Sequence, residues 1–223
     1  MATDIVKTVH SIFGVTEAYK LPDAMMALVF NKEERKRAML RYLDEYTRDL
    51  SHDGFHEYYQ QEQSERKSKK QDFTPDSIAQ ILSGIVGAGN STFEPTAGTG
   101  GIIIRKWHDD MMQYTPFNYW PSEHLYFAEE LSDRALPFLL FNLAIRGMNA
   151  AVIHGDALTR EAKGVFFVQN TDDNYLGFSD INVMPYSDET MEFFNVRSWV
   201  GKPYQAHVET NRVPKHLIGI IDF

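Results

Sequence analysis

Phe93–Gly101 reads FEPTAGTGG: an acid and a proline follow a short strand-like run, and three glycines lead into IIIRKWHDD. Glycines in such a turn let the backbone pass close under a ligand, where any side chain would collide. In open α/β sheets, ligands sit beyond the carboxyl ends of the strands. The G-T-G-G spacing departs from the G-x-G-x-x-G dinucleotide fingerprint, and the phosphate-loop pattern G-x-x-x-x-G-K-[ST] is absent. Taken by itself, the stretch reads equally well as a Gly-rich turn without a ligand. Two more acids follow strand-like runs: Glu129, with Glu130 as its competitor, in LYFAEE, and Asp156 in GDAL. Gly-Asp alone is a common turn former. His108 and His154 have no metal-ligand spacing, so structural roles are expected for both, and no G-x-S-x-G elbow is present.

The elements that must position these residues follow from periodicity. Residues 1 to about 62 read as helical, with Met26, Leu28, Val29, Met39, Leu40, Leu43 and Tyr46 spaced for amphipathic helices and Pro22-Asp23 as a helix start. QQEQSERKSKKQD is nearly free of apolar residues and reads as a helix tail or linker. TPDSIAQILSGIVG then offers Thr74 as an N-cap, Pro75 at the first helical position, and Ile78, Ile81, Leu82 and Ile85 on one face. STFEP, EHLYFAEE, AAVIHGDAL and FSDINVMPY read as four strands, and helices GGIIIRKWHDDMM and SDRALPFLLFNLAIRG separate the first three. This alternation predicts a parallel sheet with helices on both faces. QAHVETN and HLIGIIDF are candidate late strands. The expected organisation is a helical segment over 1–70 and an α/β domain over 71–223.

Composition narrows the function. The 223 residues are 43% hydrophobic, enough for one sizeable core, and the mean hydropathy is -0.37. No apolar run approaches the ~20 residues that span a bilayer, and the N-terminus lacks the basic start and apolar block of a secretion signal. With no cysteine, disulfides, thiolate chemistry and cysteine-based zinc sites are excluded, which fits a cytoplasmic protein. The net charge of -9 opposes nonspecific nucleic-acid binding by the whole surface. KEERKRAMLR and ERKSKK are the two local basic stretches, each read first as a solvated helix face or linker.

FTP (73–75), FEPTAGTGG, LYFAEE, NLAIRG (142–147) and GDAL occur in this order. Together they resemble the amino-group DNA methyltransferases that act on adenine N6, especially the modification subunit of type I restriction systems. The resemblance spans roughly residues 70 to 186. It implies an α/β, Rossmann-like S-adenosylmethionine-dependent methyltransferase fold, a doubly wound sheet, with S-adenosylmethionine as cofactor. Phe73, Thr74 and Pro75 would line the methionine side. Glu94 would attract the methionine ammonium, and Pro95, Ala97, Gly98 and Gly100 would shape the loop beneath the ligand. Glu129 would accept from the ribose hydroxyls, as acids do in dinucleotide folds. Asp156, with Ala157, would meet the adenine. Asn142 is expected to support the sheet rather than touch the ligand.

The resemblance also sets the expectation for the stretch FSDINVMPYSDE. The family's fourth strand ends in Asn/Asp-Pro-Pro-Tyr/Phe, whose ring stacks on a flipped base and whose acceptors position the exocyclic amine. Here Pro185 and Tyr186 match, but Val183 and Met184 stand where acceptor and first proline belong. Asn182 is one residue early, and one residue reverses side-chain direction along a strand unless a bulge intervenes. The catalytic candidates are therefore Asn182, Pro185 and Tyr186. About 37 residues follow Tyr186, too few for a typical target-recognition domain. DNA specificity would then come from a partner, such as the specificity subunit of type I systems, or be lost; the partners expected are DNA, a restriction-modification partner or a second copy, with no membrane. Three functions follow: an adenine-specific DNA methyltransferase, a catalytically impaired pseudo-methyltransferase acting through protein interaction, and a methyltransferase of another substrate.

Overall fold

In the N-terminal third, local signals and helices agree. The computed structural model describes residues 5–58, 76–87, 89, 91–115 and 117–212. Helix α1 spans Ile5–Phe13, α2 Leu21–Val29 with Pro22 in its first turn, and α3 Lys32–Arg41. The Asn31 side chain caps α3 by accepting from Glu34 N at 3.2 Å, and Glu33 and Glu34 suit the positive end of its dipole. A π-turn at Tyr42–Tyr46 continues α3. The basic residues of α3 are largely neutralised: Lys32 pairs with Asp180, Arg37 with Glu34, Arg41 with Glu45, and buried Arg35 with Glu209. The second basic stretch and the polar run before it fall outside the described residues, apart from their first flanking turn at 55–58.

Helix α4 (Asp76–Val86) leads to β1 (Ser91–Glu94), α5 (Gly101–Met111), β2 (Leu125–Glu130), α6 (Leu136–Ile145) and β3 (Ala150–Asp156). Strands β1, β2 and β3 are parallel neighbours in that order. The chain then turns back through β4 (Glu161–Gln169), antiparallel to β3, and β5 (Asp180–Val183), antiparallel to β4. Helix α7 (Asp188–Phe193) and the short β6 (Ser198–Trp199), which pairs with the start of β4, complete the order. This mixed α/β architecture with a mostly parallel sheet is Rossmann-like. Among the described residues no helix is long and apolar enough to cross a membrane.

The strand order β1-β2-β3-β4-β5 runs without reversal. Right-handed crossovers that keep stepping in one direction place their helices on one face. Accordingly, Ile103, Ile104 and Trp107 of α5 and all of α6 share one core with Tyr126, Ala128, Ala150, Val152, Phe166 and Ile181. The N-terminal helices join the same core through Val9, Met25 and Met39. The other face carries Leu125, Ala151, Ile153, Val165 and Phe167, covered by Phe194 and Val196 after α7. Both faces therefore bear helix, but the second bears only a short one. The apolar face of α4 read from the sequence is turned outward, with Ile81 and Ile85 63% and 75% exposed, while Ala79 and Ser83 are buried.

Two elements differ from the sequence reading. Lys163 and Gly164 interrupt the apolar run of Glu161–Gln169, so it does not announce itself as a strand, yet it pairs on both sides. FSDINVMPY is therefore the fifth strand rather than the fourth. QAHVETN forms no strand; it covers the outer edge of β5, where Val183 N donates to His207 O at 2.8 Å. HLIGIIDF lies outside the described residues.

A buried carboxylate binds these layers together. Asp53 accepts from Thr99 Oγ1 at 2.5 Å, Asn142 Nδ2 at 2.9 Å and Phe55 N at 3.0 Å. Asn142 also donates to Thr99 O at 2.8 Å, and its Oδ1 accepts from Arg146 at 2.9 Å. Arg146 in turn donates to Leu50 O at 2.9 Å and His52 O at 2.6 Å. Removing Asp53 would strand several buried donors, each worth ~1–3 kcal/mol. Asp53→Ala is thus expected to lower unfolding stability by at least about 2 kcal/mol in urea titration. A loss below ~0.5 kcal/mol, the size of a neutral surface change, would contradict this role.

Candidate functional site

The glycine loop after β1 is fixed by the end of β2. Ala97 N donates to Glu129 O at 2.9 Å, and Gly100 N to Ala97 O at 2.7 Å. Gly98 N donates to Glu130 Oε2 at 2.7 Å, while Glu130 Oε1 accepts from Ser132 N at 2.6 Å. Glu130 points to the helical face and spends both oxygens on backbone. Glu129, its neighbour, points to the opposite face, as alternation along a strand requires. The loop needs glycine at two positions for different reasons. Gly98 has φ 57, and a Cβ there would meet no atom of the described residues within 4 Å, so conformation rather than crowding favours glycine. Gly100 has φ 99, and a Cβ would lie 2.9 Å from Leu139 Cδ1, so it lets α5 pack against α6. Pro95 is exposed and Ala97 buried.

Glu94 turns inward beneath the start of α5, and its Oε2 accepts from Ile103 N at 3.0 Å. It is buried, and desolvation raises its pKa to about 8; the Ile103 N–H opposes this and the charge of Glu130 adds to it. Glu94 is therefore mostly protonated at neutral pH in the ligand-free chain. Glu130 is also raised, chiefly by burial.

Glu129 is 1% exposed. Its Oε1 is held by Arg160 Nη1, and its Oε2 is buried with no hydrogen-bond partner among the described residues. Asp156 ends β3 in an Asx-type turn: Oδ1 accepts from Leu158 N at 2.8 Å, and its carbonyl accepts from Arg160 N at 2.8 Å. Ala157 lies half-buried in the same turn. The ends of β1, β2 and β3 thus bring Glu94, Ala97, Gly98, Gly100, Glu129 and Asp156 to one edge of the sheet. Phe73, Thr74 and Pro75 lie outside the described residues.

Asn182, Pro185 and Tyr186 stand elsewhere. Strand β5 is parallel in direction to β1 but four strand positions away, about 19 Å at ~4.8 Å per strand. The β4–β5 register runs unbroken from Gln169↔Asp180 to Phe166↔Val183, so no bulge rotates Asn182. Val183 enters the helical-face core, which accounts for an apolar residue there. Asn182 faces the other side, where its Oδ1 accepts from Glu209 N at 2.7 Å and Thr210 N at 3.2 Å. Tyr186 Oη donates to Lys163 O and accepts from Tyr204 N, both at 2.7 Å, and its ring lies 4.7 Å from that of Trp199. Pro185 is exposed.

Sequence reasoning missed Asp53 and Arg160. Asp53 sits in SHDGF, an ordinary turn composition, and Arg160 in a charged hairpin; neither carries a local signal for a partner so far along the chain. His154 is fully buried, bonded to Tyr204 Oη at 2.6 Å, and burial lowers its pKa to about 4, consistent with a structural role.

The Glu94 environment makes a pH prediction. A carboxyl that keeps its proton to about 8 when folded but ionises near 4.5 when unfolded adds stability below 4.5, and this is lost as pH rises through 8. Glu94→Gln cannot ionise. Its stability relative to the unchanged protein should therefore climb between pH 5 and 8, with a limiting slope of ~1.4 kcal/mol per pH unit. Chemical denaturation across that range checks this, and a difference independent of pH would refute it.

No curated protein and no solved structure matches the chain. The N-6 DNA methylase family model matches residues 50–177. The match begins at Leu50, in the layer that Asp53 and Arg146 tie to the glycine loop, and ends one residue before Phe178. It takes in the glycine loop, Glu129 and Asp156 and leaves out Asn182, Pro185 and Tyr186. Covering more than half of the 223 residues, it establishes that the chain belongs to the N-6 DNA methylase family.

Proposed function

We propose that this chain binds S-adenosylmethionine at the carboxyl edge of β1, β2 and β3 and does not transfer its methyl group unaided. Members of the family use this cofactor, which supplies a methyl group on a sulfonium. The observation that carries the reading is Glu129 Oε2, a buried carboxylate oxygen without a partner among the described residues, beside a glycine loop in which a Cβ on Gly98 would meet none of their atoms within 4 Å. Such an oxygen is completed by a hydroxyl donor, and a ribose offers two. Glu129 would hold the ribose, and Gly98 would let the ligand approach the backbone. Asp156 would face the adenine with the oxygen its turn leaves over. Glu94 would release its proton as the methionine ammonium binds, so that charge meets charge at a site otherwise neutral.

Methylation of adenine N6 in DNA is the chemistry the family implies. In this chain the reading that favours an impaired enzyme rests on Asn182. Its amide oxygen is already engaged by two backbone N–H groups, on a strand four positions from β1. An acceptor group must lie within hydrogen-bond reach of the amine it positions. DNA methylation would thus depend on a partner that brings an acceptor site and sequence recognition to the β1 edge; the net charge of -9 agrees with DNA contacts coming from elsewhere.

Filter or calorimetric binding with labelled S-adenosylmethionine should show saturation, and Glu129→Ala should weaken it at least about tenfold, the effect of one lost charged hydrogen bond. Absence of saturation at millimolar ligand would overturn the cofactor reading. With mixed-sequence DNA, the chain alone should incorporate no labelled methyl, and Val183→Asn/Met184→Pro should gain none. Labelling by either form would contradict the impaired-enzyme reading.

A further inference from the structure

Arg160 sits in the β3–β4 turn with φ 60, a conformation uncommon for a residue with a Cβ. Besides pairing with Glu129, its guanidinium donates through Nη2 to Phe194 O at 2.8 Å and through Nε to Asn195 O at 2.9 Å. Its own carbonyl accepts from Arg197 N at 2.7 Å. Asn195 is likewise left-handed, with φ 51. One side chain therefore stitches the segment after α7 to the ends of β2 and β3. The same segment buries Phe194 and Val196 against the second sheet face. Phe194 also walls an apolar groove of about 450 Å³, together with Leu125, Phe127, Phe167, Met184 and Phe193.

We infer that Arg160 is a latch: its guanidinium occupies Glu129 in the closed chain and must leave before a ribose can bind there, loosening the Phe194–Arg197 segment. The inference rests on the reading of Glu129 as the ribose acceptor. A carboxylate with one oxygen taken by Arg160 and the other sealed from solvent cannot accept from both hydroxyls of a ribose at once. Two hydroxyl donors would fill both oxygens: Oε1, which Arg160 Nη1 now holds, and Oε2, which has no partner among the described residues. The freed guanidinium, 24% exposed already, has solvent to move into. Because its other two acceptors are the carbonyls of Phe194 and Asn195, its departure removes two of the three hydrogen bonds that tie that segment to the β3–β4 turn, leaving Arg197 N on Arg160 O, and so loosens one wall of the groove. Occupancy of the nucleoside site and access to the groove are thereby coupled through a single residue.

The test uses the full chain and S-adenosylmethionine in calorimetry, with Arg160→Gln and Arg160→Lys. A latch lowers apparent affinity by the fraction of chains that are open. Arg160→Gln should therefore bind about tenfold or more tightly than the unchanged protein. Arg160→Lys, which keeps a charge opposite Glu129 but cannot span both carbonyls, should fall between. In parallel, hydrogen exchange of the unchanged protein should speed up over 194–197 when the ligand is added. Weaker or equal binding by both variants would overturn the latch and make Arg160 a positioning or structural residue, as would unchanged or slower exchange over 194–197. If Arg160→Gln does not fold, the lysine variant and the exchange measurement decide. Binding by no form, the unchanged protein included, would instead overturn the assignment of the site itself.

Discussion

The arrangement of this chain depends on one buried carboxylate. Asp53 accepts from the glycine loop through Thr99, from α6 through Asn142 and from its own backbone at Phe55. These partners come from three layers that local sequence cannot bring together. A buried acid is costly unless its oxygens are filled, and here three donors and the nearby Arg146 cation fill that need. The N-terminal helices are thereby part of the site's support. Helix α6, apolar on every side, can be buried completely because the N-terminal helices cover what the sheet does not. The glycine loop inherits its position from both sides: Asp53 fixes Thr99, and Glu130 fixes Gly98.

A second constraint is topological. In an open α/β sheet the ligand crevice forms where strand order reverses. Here β1 to β5 follow in sequence, so the described sheet offers carboxyl ends for a cofactor but no reversal beside β1. The hairpin made by β4 carries the chain away from β1, and β5 lands at the far end of the row. Asn182, Val183 and Tyr186 are then absorbed into structure: Asn182 holds the segment at Glu209 and Thr210, Val183 fills the core, and Tyr186 braces Lys163 against Tyr204. The ends of β1, β2 and β3 gather Glu94, the glycine loop, Glu129 and Asp156 at one edge, and Asn182, Pro185 and Tyr186 stand apart from them.

Much of this was legible in the sequence, for identifiable reasons. The glycine loop, Glu129 and Asp156 lie on consecutive strand ends, where the connection of each strand to the next element is short and the motif carries its own geometry. Strand alternation turns Glu129 and Glu130 to opposite faces, so the two neighbouring acids have different surroundings. Asn142 and His154 were expected to be structural, and both make buried structural hydrogen bonds, Asn142 to Asp53 and Thr99 and His154 to Tyr204. What escaped was long-range. Arg160 and Asp53 meet partners 31 and 46 residues away, and no periodicity encodes such a pairing. Strand β4 was hidden by Lys163-Gly164, so FSDINVMPY, read as the fourth strand, is the fifth, at the far end of the row from β1. The outward apolar face of α4 was read correctly as a face, but burial is decided by what packs against it.

The Pro185-Tyr186 end of β5 is remote from the glycine loop. The chain has no cysteine, so spin labels can be placed uniquely at two exposed positions, Thr96→Cys beside the loop and Pro185→Cys after β5. Pulsed dipolar spectroscopy should give a separation of about 20 Å or more, as four intervening strand spacings require. A separation near that of adjacent strands, within about 10 Å, would place β5 beside β1 and contradict the divided site.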